Sequence, residues 1–359
     1  MTIGILGAGQ LGRMLALAGY PLGMRFRVLD PASDSPAGWL AEHLAFDYSD
    51  RSALEHFASG LDVITYEFEN VPVESACFLE QFVPVYPPPI ALKKAQDRLV
   101  EKSFFWELGI PTPKFTTDLN NKGDVEIGFP AVLKTRRMGY DGKGQVIIHS
   151  QKELNREIDG KNTEGFILEE FISFDRELSI IGVRNKTGEM RFYPLVENHH
   201  RDGILRLSLM ADNVSPGLQQ QAEQYARKVM ATLDYVGVLT IEFFEKDSRL
   251  LASEMAPRVH NSGHWTIEGS VTSQFENHLR AVSGSPLGST DQLGVCGMVN
   301  LVGDLPDVTS ILKIEGAHLH LYDKFPRPKR KIGHVTFVEK KLEVLQSKLD
   351  VLREIVYGS

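Results

Sequence analysis

The chain has 359 residues, 42% of them apolar and 24% charged, with a formal net charge of −8 at pH 7. This length allows two or three domains with substantial cores, and the composition is that of an ordinary globular protein. The acidic balance argues against a general binder of nucleic acid or acidic membranes, and no apolar run is long enough to predict a membrane helix.

The two cysteines, Cys77 and Cys296, are too few for a disulfide framework or a four-cysteine zinc site. We therefore predict two buried free thiols in a reducing compartment. The sequence enters a predicted strand at once, without a charged leader, so the expected location is the cytoplasm.

The first ninety residues alternate between strand and helix patterns. Strands are predicted at 2–6, 26–29, 62–65 and 83–86, and helices around 11–20, 51–58 and 72–81. Such alternation is typical of an α/β unit in which helices cover both faces of a parallel sheet. We therefore predict a doubly wound N-terminal domain over residues 1–90, ended by three consecutive prolines at 87–89.

The turn after the first strand, GAGQLG at 7–12, fits the glycine pattern of dinucleotide-binding folds. Its glycines allow close backbone approach, and the following helix offers unpaired N–H groups to a phosphate. Asp30, at the end of the second strand, lies close to where a ribose-binding acid would be. The pattern by itself leaves two interpretations open, a dinucleotide such as NAD or a simpler phosphate group.

Past residue 90 the strands and helices no longer alternate regularly. A helix is predicted over 90–108, followed by strands at 131–134, 145–148, 165–170, 177–183 and 190–197. Ser215 and Pro216 form an N-cap and first-turn pair that predicts a helix to residue 233. Leucines near the C-terminus repeat with helical spacing, which predicts an amphipathic helix packed on the core.

Two apolar segments, 236–244 and 250–255, are separated by a short polar turn and predict an antiparallel hairpin. A turn centred near Ser248 places Glu242 directly opposite Glu254. Like charges paired inside an apolar sheet are destabilising, whereas a bound cation removes the conflict, and two carboxylates with phosphate oxygens suit Mg²⁺. Two solvated acids on an exposed face are the alternative, but the apolar neighbours favour the metal.

Lys134 ends a predicted apolar strand, and a glycine-rich loop, GYDGKG at 139–144, follows it. Glycine backbone flanked by cations can lie along a polyphosphate. The spacing does not fit the P-loop pattern, and a long hairpin turn with surface lysines is the alternative. The stretch 169–172 and Glu177 are suited to contact an adenine edge and ribose hydroxyls, although an ordinary strand connection has the same pattern.

Two further segments are rich in polar and basic residues. The segment 256–265, APRVHNSGHW, places an arginine, two histidines, an asparagine and a serine directly after the hairpin, where anion-binding side chains are expected. The segment 322–334 concentrates cations in an otherwise acidic chain. We interpret the second segment as a substrate phosphate pocket, with a solvated surface patch as the alternative.

Taken in chain order, these features resemble the ATP-grasp superfamily: a lysine on a strand, a glycine-rich loop, a hinge acid and two metal carboxylates on neighbouring strands. Within it, the chain resembles the N5-carboxyaminoimidazole ribonucleotide synthetase family of purine biosynthesis, through the motifs GAGQLGRM, ITYEFENVP, GYDGKGQ, HHRDGIL, APRVHNSGHW, YDK and RPKRKIGH. NSGHW is the most specific of these. An NAD-dependent dehydrogenase would leave the acid pair and the loop unexplained.

The resemblance implies a fold and a reaction. The expected fold is α/β, with the doubly wound domain at 1–90, an α+β ATP-grasp domain at 91–288 whose lid covers about 112–173, and a small C-terminal domain at 289–359. The expected enzyme is an ATP-dependent carbon–nitrogen ligase. It carboxylates 5-aminoimidazole ribonucleotide with bicarbonate, via carboxyphosphate, and releases ADP and phosphate. ATP and Mg²⁺ are the implied cofactors, with Mn²⁺ as a substitute for Mg²⁺.

The resemblance also implies roles for individual residues. Contacts to bicarbonate or the aminoimidazole are implied for Tyr140, Asp141, Lys143, Arg258, His260 and Asn261. Contacts to ATP are implied for Arg98, Lys134, Gly139, Tyr140, Asp141, Gly142, Lys143, Gly144, Gln145, Glu169, Glu170, Phe171, Ile172, Glu177, His200, Ser253 and Glu254. Contacts to the ribonucleotide are implied for Gln10, Leu11, Glu67, Glu69, Lys324, Arg330 and Lys331, and metal coordination for Glu242 and Glu254.

The family further implies a homodimer and a functional link to the N5-carboxyaminoimidazole ribonucleotide mutase. The net charge and the lack of a long apolar run predict no nucleic-acid or membrane partner. One position departs from the family pattern, because relatives often have asparagine where Ser253 precedes the metal acid. We expect the Ser253 hydroxyl to orient neighbouring ligands rather than to bind the metal itself.

Overall fold

The computed structural model describes residues 1–120, 126–139, 144–210 and 214–358. Its N-terminal part is a parallel sheet covered by helices. The strands are β1 (Thr2–Leu6), β2 (Arg25–Leu29), β3 (Glu42–Leu44) and β4 (Val63–Tyr66), and the helices are α1 (Gln10–Gly19), α2 (Arg51–Ala58) and α3 (Val73–Leu79). The strand order is β3-β2-β1-β4. The central strand β1 is fully buried along Ile3, Ile5 and Leu6, as a strand covered on both faces must be.

This sheet confirms the predicted doubly wound N-terminal domain. The predicted strand at 83–86 is reduced to one parallel bridge, between Ile64 and Val85. Cys296 is buried as predicted, but Cys77 is exposed, so the prediction of two buried thiols was wrong. The reason is that α3 buries Ala76 and Leu79 and turns Cys77 away from the core.

Residues 89–107 form two helices where the sequence predicted one. They are α4 (Pro89–Ala95) and α5 (Arg98–Glu107). Asp97, in extended conformation, accepts the N–H of Leu99 and so caps α5. The same carboxylate pairs with Arg136 and Arg137 at 2.8 and 3.1 Å. These partners lie 39 and 40 residues further along the chain, so the local helical pattern did not reveal the break.

A second, antiparallel sheet follows. Its strands are β5 (Phe115–Thr116), β6 (Ala131–Thr135), β7 (Gln145–Ile148) and β8 (Phe166–Glu170), and α6 (Gln151–Ile158) packs on it. The strand order is β5-β8-β6-β7. Its core is formed by Leu133, Ile148, Leu154 and Leu168, among others. Because β6 and β8 are neighbours, Lys134 and Glu169 come close together.

The largest sheet is antiparallel. Its strands are β9 (Arg176–Arg184), β10 (Met190–Phe192), β11 (Val196–Arg201), β12 (Ile204–Met210), β13 (Gly237–Lys246), β14 (Arg249–Ala256), β15 (Val295–Val302), β16 (His318–Leu321) and β17 (Lys331–Glu339). The order is β14-β13-β9-β11-β12-β15-β17-β16, and β10 pairs with β9. The prediction of one strand over 190–197 was wrong, because Pro194, which has no N–H to donate, separates β10 from β11.

Helices pack on the faces of this sheet. They are α7 (Pro216–Thr232), α8 (Thr266–Gly269), α9 (Gln274–Ser283), α10 (Val308–Leu312) and α11 (Leu342–Tyr357). α7 begins as predicted, since the Ser215 hydroxyl accepts the N–H of Leu218. The predicted leucine stripe of α11 is buried in the same cluster as Val299 and Phe337. No helix within the described ranges has the length and apolar character needed to cross a membrane.

The C-terminal strands continue the central sheet without a break. β12 pairs with β15 at Leu207–Val299 and Leu209–Gly297, and β15 pairs with β17 along most of its length. The small C-terminal domain predicted from the sequence therefore shares its sheet with the central domain.

His278 of α9 joins the parallel sheet to the largest sheet. Its Nδ1 accepts the N–H of Val238 on β13 at 3.1 Å, and its Nε2 lies 2.8 Å from the Thr65 hydroxyl on β4. The ring is fully buried, and burial lowers the pKa of His278 to about 3. The junction therefore contains a histidine that stays neutral in the folded protein.

We expect His278 to make folding sensitive to acid. Below about pH 6.5 the unfolded chain protonates this histidine and the native state does not, so stability falls by about 1.4 kcal/mol per pH unit from this group alone. Urea unfolding of the wild type and of His278→Gln between pH 7 and 5 measures the difference. The wild type should lose stability more steeply than the variant, and parallel losses would contradict this role.

Candidate active site

One face of the largest sheet carries a line of polar side chains that crosses the strands. Residues directly opposite in neighbouring strands share a face, as do residues two apart in one strand. By that rule the following residues, in strand order, lie on one face: Glu254, Glu242, Ser179, Asn198, Ser208, Asn300, His334 and His320. We call this set the polar row.

The acid end of the polar row is the pair Glu242 and Glu254, which lie opposite each other in the β13–β14 ladder as the hairpin pattern predicts. Burial and the neighbouring Glu254 raise the pKa of Glu242 to about 7. Desolvation also acts to raise the pKa of Glu254, but Arg98 and Lys134 outweigh it and hold that pKa below its usual value. Arg98 donates to Glu254 at 3.1 Å. A bound cation would therefore stabilise the ionised form of these two neighbouring carboxyl groups.

Beneath the acid pair, α5 contributes two buried charged residues that sequence reasoning missed. Glu101 accepts the N–H of Met255 at 2.6 Å, and burial together with Glu254 raises the pKa of Glu101 to about 8. Lys102, with no exposed surface, donates to the carbonyl of Ser253 at 3.2 Å. Ser253 is the bulged residue of β14, so Lys102 binds a carbonyl that the bulge removes from the ladder.

Glu169 is held between two lysines. Its carboxylate accepts from Lys134 at 2.8 Å and lies 3.3 Å from Lys102. Desolvation opposes ionisation, but both lysines outweigh it and lower the pKa of Glu169 to about 2. Its other oxygen, Oε1, is buried without a hydrogen-bond partner among the described residues. A carboxylate with one free acceptor, at the end of a strand, is suited to receive an N–H from a ligand.

The remaining predicted ATP contacts lie around this centre. The Glu177 carboxylate accepts a hydrogen bond from His200 Nδ1 at 2.9 Å. Desolvation acts to lower the pKa of His200, but Glu177 and Glu242 outweigh it and raise that pKa. After β8 ends at Glu170, Phe171 is exposed and Ile172 is buried.

The glycine-rich loop is described only at its ends. Tyr140, Asp141, Gly142 and Lys143 lie outside the described residues, whereas Gly139, Gly144 and Gln145 lie within them. Gly144 has φ +73°, and a Cβ there would lie 2.4 Å from the Thr135 hydroxyl, so the turn requires glycine. The flanking cations Arg136 and Arg137 pair with Asp97 and thus tie the start of the loop to α5.

The segment after β14 folds back over the acid pair. His260 Nε2 lies 3.4 Å from Glu242 Oε1, and Arg258 pairs with Glu69 at 2.8 Å. Asn261 exchanges two hydrogen bonds with Asn300, at 3.0 and 2.7 Å, so a C-terminal residue missed by the sequence reasoning fixes this amide. Of the predicted cluster, His260 therefore lies beside Glu242, whereas Arg258 and Asn261 are held by Glu69 and Asn300.

Two carboxylates from outside the N-terminal glycine turn accept hydrogen bonds from its backbone. Glu67 accepts the N–H of Gly9 at 2.7 Å, and Asp30 accepts the N–H of Ala8 at 3.1 Å. The Asp30 carboxylate therefore binds the backbone of the turn itself. Burial raises the pKa of Glu67, although Gly9 and Lys324 act in the opposite direction.

Lys324 reaches the same turn from the C-terminal segment and donates to Gln10. It lines a cleft of about 340 Å³ together with Arg13, Leu321 and Ile332. Of the other predicted ribonucleotide residues, Leu11 is buried in the core and Arg330 donates to the carbonyl of Phe325. Lys331 is close enough to the acid pair to oppose part of the rise in the pKa of Glu242.

Family models match nearly the whole chain. An ATP-grasp domain matches residues 103–275, a ribonucleotide synthetase preATP-grasp domain matches 1–96, and a phosphoribosylaminoimidazole carboxylase C-terminal domain matches 296–348. With the fold described above, these matches define an ATP-dependent carbon–nitrogen ligase of the ATP-grasp class.

Individual relatives narrow the class. The N5-carboxyaminoimidazole ribonucleotide synthase of Pseudomonas aeruginosa is 50% identical over 361 residues, 99% of each chain. The crystal structure of the Thermus thermophilus synthetase is 54% identical with a TM-score of 0.94, covering 99% of this chain and 98% of that one. The Aspergillus clavatus synthase, solved with ADP and 5-aminoimidazole ribonucleotide, is 31% identical with a TM-score of 0.89, covering 99% of both.

The chain belongs to the N5-carboxyaminoimidazole ribonucleotide synthase family. It is an ATP-dependent enzyme of purine biosynthesis, which confirms the resemblance seen in its motifs. The glycine turn at 7–12 is therefore part of a ribonucleotide synthetase rather than of a dehydrogenase.

Proposed function

We propose that this enzyme carboxylates 5-aminoimidazole ribonucleotide on its exocyclic amine, using bicarbonate and ATP. The observation that carries the proposal is the juxtaposition of the acid pair with Arg98, Lys134 and the His260 segment. Phosphoryl transfer needs positioned charge more than covalent chemistry from the protein. Relatives solved with ATP, or with ADP and the aminoimidazole ribonucleotide, support the same pair of substrates.

The acid pair fits a magnesium ion bound together with nucleotide phosphates. Within the described residues no group of three or more histidine, cysteine or acidic side chains converges as a metal site. Mg²⁺, however, is commonly bound by one or two carboxylates plus substrate phosphates, which matches Glu242 and Glu254. When bound there, Mg²⁺, or Mn²⁺ in its place, would neutralise charge on the transferring phosphoryl group.

The proposed reaction has two steps. A bicarbonate oxygen takes the γ-phosphoryl group, ADP leaves, and carboxyphosphate forms. The exocyclic amine nitrogen then bonds to the carboxyl carbon as the bond from that carbon to the phosphate oxygen breaks, either directly or after release of CO₂ in place. The amine gives one proton to the departing phosphate. Arg98 and Lys134 would neutralise the phosphates, while Arg258, His260 and Asn261, with Tyr140, Asp141 and Lys143 of the loop, would bind bicarbonate or the aminoimidazole.

The ATP site is proposed on the remaining residues of this centre. Glu169 would receive an adenine N–H at its free oxygen, and Glu177 with His200 would hold the ribose end. The loop 139–145 would cover the phosphates and exclude water from an intermediate that hydrolyses easily. Residues 170–172 would complete the adenine pocket, and Ser253 would act through its position beside Glu254.

The ribonucleotide is proposed to bind between the N-terminal turn and the cleft at Lys324. Its phosphate would meet the backbone at Gln10 and Leu11, the first residues of α1, and the cations Lys324, Arg330 and Lys331. Glu67 and Glu69 would take ribose or ring hydrogen bonds. The burial of Lys324 beside three other cations supports a site that binds an anion, because these conditions lower its pKa to about 8.

The pKa of Lys324 predicts how activity depends on pH. Above about pH 8 the free enzyme loses the proton of Lys324, so affinity for a phosphate falls. We expect kcat/KM for the ribonucleotide to decrease by about tenfold per pH unit above pH 8. Initial rates at subsaturating ribonucleotide and saturating ATP, measured from pH 7 to 9.5, test this. A flat profile would contradict the assignment of Lys324 to the phosphate.

We also propose domain limits of 1–90, 91–288 and 289–359, with a lid at about 112–173. The three family matches lie close to these limits, although the N-terminal match extends to residue 96. A homodimer and a functional link to the N5-carboxyaminoimidazole ribonucleotide mutase are proposed from the family alone, and a cytoplasmic location is also proposed. Light scattering of the purified enzyme tests the dimer.

An ADP-release assay tests the function. ADP formation should require the aminoimidazole ribonucleotide and bicarbonate together, and formate should not replace bicarbonate. Release that is equally fast with formate, or that needs no ribonucleotide, would overturn the proposed reaction.

A further inference from the structure

The backbone of His260 is fixed by a buried amide. Gln274 accepts the N–H of His260 at 2.9 Å and donates to its carbonyl at 2.6 Å. Gln274 itself has no exposed surface. The backbone position of His260 is therefore set before any substrate binds.

The ring of His260 is held in one tautomer. The backbone N–H of Ser262 donates to Nδ1 at 3.3 Å. A backbone N–H can only donate, so Nδ1 carries a lone pair and the ring proton lies on Nε2. That N–H is the one near Glu242, where the Nε2 to Oε1 distance is 3.4 Å.

A chain of side-chain hydrogen bonds favours the same tautomer. In this chain, the donor and acceptor of each hydrogen bond determine which group donates in the next one. Ser208 donates to Asn198 Oδ1 at 2.7 Å, which orients the amide so that its nitrogen donates to Ser179 Oγ at 3.0 Å. Ser179 then donates to Ser262 Oγ at 2.9 Å. The Ser262 proton is left for His260 Nδ1, 2.9 Å away.

The members of the chain are almost fully buried, and Ser179, Asn198 and Ser208 belong to the polar row. Ser179 lies beside Glu242 in the β9–β13 ladder. Buried hydroxyls and amides must satisfy their hydrogen bonds with one another, so the direction of the chain is set by the fold rather than by solvent. The strand order thus places a continuous chain of hydrogen bonds between Ser208, inside the sheet, and Nδ1 of His260.

We propose that Ser262, Ser179, Asn198 and Ser208 are positioning residues that hold His260 as a hydrogen-bond donor through Nε2. The catalytic consequence rests on the proposed function. A carboxylate or phosphate oxygen at the acid pair receives this N–H, whereas the amine of the ribonucleotide cannot pass a proton to a nitrogen that already carries one. His260 therefore orients an oxyanion and does not act as the base that deprotonates the amine.

Nitrogen NMR of the full-length enzyme labelled at histidine tests the tautomer without substrate. His260 is assigned from the signal missing in His260→Gln. The wild type should show the long-range coupling pattern of a neutral Nε2–H imidazole. Signals of an Nδ1–H ring or of an imidazolium would overturn the proposal.

Ser262→Ala tests the chain. We expect part of the population to change to the Nδ1–H tautomer, because only the longer hydrogen bond from the Ser262 backbone N–H, at 3.3 Å, then remains at Nδ1. We also expect a kcat lowered by about tenfold, the effect of one buried hydrogen bond, with the KM for ATP unchanged. Ser262→Thr keeps a hydroxyl and should retain the wild-type tautomer. Ser270→Ala is the matched control, because Ser270 is also buried but donates to the carbonyls of Thr290 and Asp291, away from the chain.

A lower kcat in Ser262→Ala with an unchanged tautomer would reduce Ser262 to a structural residue and overturn the proposal. The NMR result does not depend on turnover. An Nε2–H signal that shifts in Ser262→Ala therefore supports the chain even if the ADP-release assay refutes the proposed reaction.

Discussion

Glu254→Gln is expected to lower the rate of ATP turnover by at least about 10³-fold. The substitution keeps the shape of the side chain and removes the charge that Arg98 binds at 3.1 Å. The proposed Mg²⁺ site then keeps only one of its two carboxylates, Glu242, whose pKa is no longer raised by an ionised neighbour. Steady-state ADP release at saturating substrates measures the effect, and circular dichroism checks that the fold is intact.

The matched control for this variant is Glu339→Gln. Glu339 also lies on a strand of the largest sheet and pairs with Lys348, but it is far from the acid pair along the strand order. This control should retain turnover within about twofold, since such pairs contribute about 1 kcal/mol or less. Near-normal activity of Glu254→Gln would remove Glu254 from the reaction.

Lys324→Ala should raise the KM for the ribonucleotide by about 100-fold and leave the KM for ATP unchanged. The expected size is that of one charge-assisted hydrogen bond in a partly buried site. Lys324→Arg offers a second test. Its charge persists to high pH, so the fall in kcat/KM above pH 8 should disappear while much of the binding remains.

Lys329→Ala is the control for the loss of positive charge in the same segment, because Lys329 is exposed. It should change the KM for the ribonucleotide by less than about threefold, since exposed charges are screened. An effect of Lys324→Ala confined to ATP would assign the basic segment to the nucleotide instead.

Glu242 lies opposite Glu254, as predicted, only because the position of the hairpin turn and a bulge in β14 compensate each other. The turn has two residues, Asp247 and Ser248, both with positive φ, and it pairs Lys246 with Arg249. Continued without a shift, that register would place Glu242 opposite Ser253. The bulge at Ser253 moves the pairing by one residue and brings Glu254 into place. The sequence indicated the pair, but not the bulge that produces it.

Features that depend on distant parts of the chain could not be predicted in this way. Lys102 and Glu101 lie within a helix pattern of mixed character, and their burial follows from packing against β14. The chain from Ser208 to His260 requires the order β13-β9-β11-β12, which no local pattern specifies. Periodicity therefore predicted the individual strands and helices and the residues rich in chemistry, whereas their neighbours across the sheet emerged only from the fold.

The pairing of β12 with β15 has a consequence for how the enzyme responds to its ligands. Separating the two strands would expose the backbone N–H and C=O groups that pair between them, so neither part is expected to remain folded alone. The two parts should then melt in a single transition. Any ligand that binds only the native form stabilises that whole unit, so occupancy by the nucleotide should also protect the C-terminal strands against hydrogen exchange.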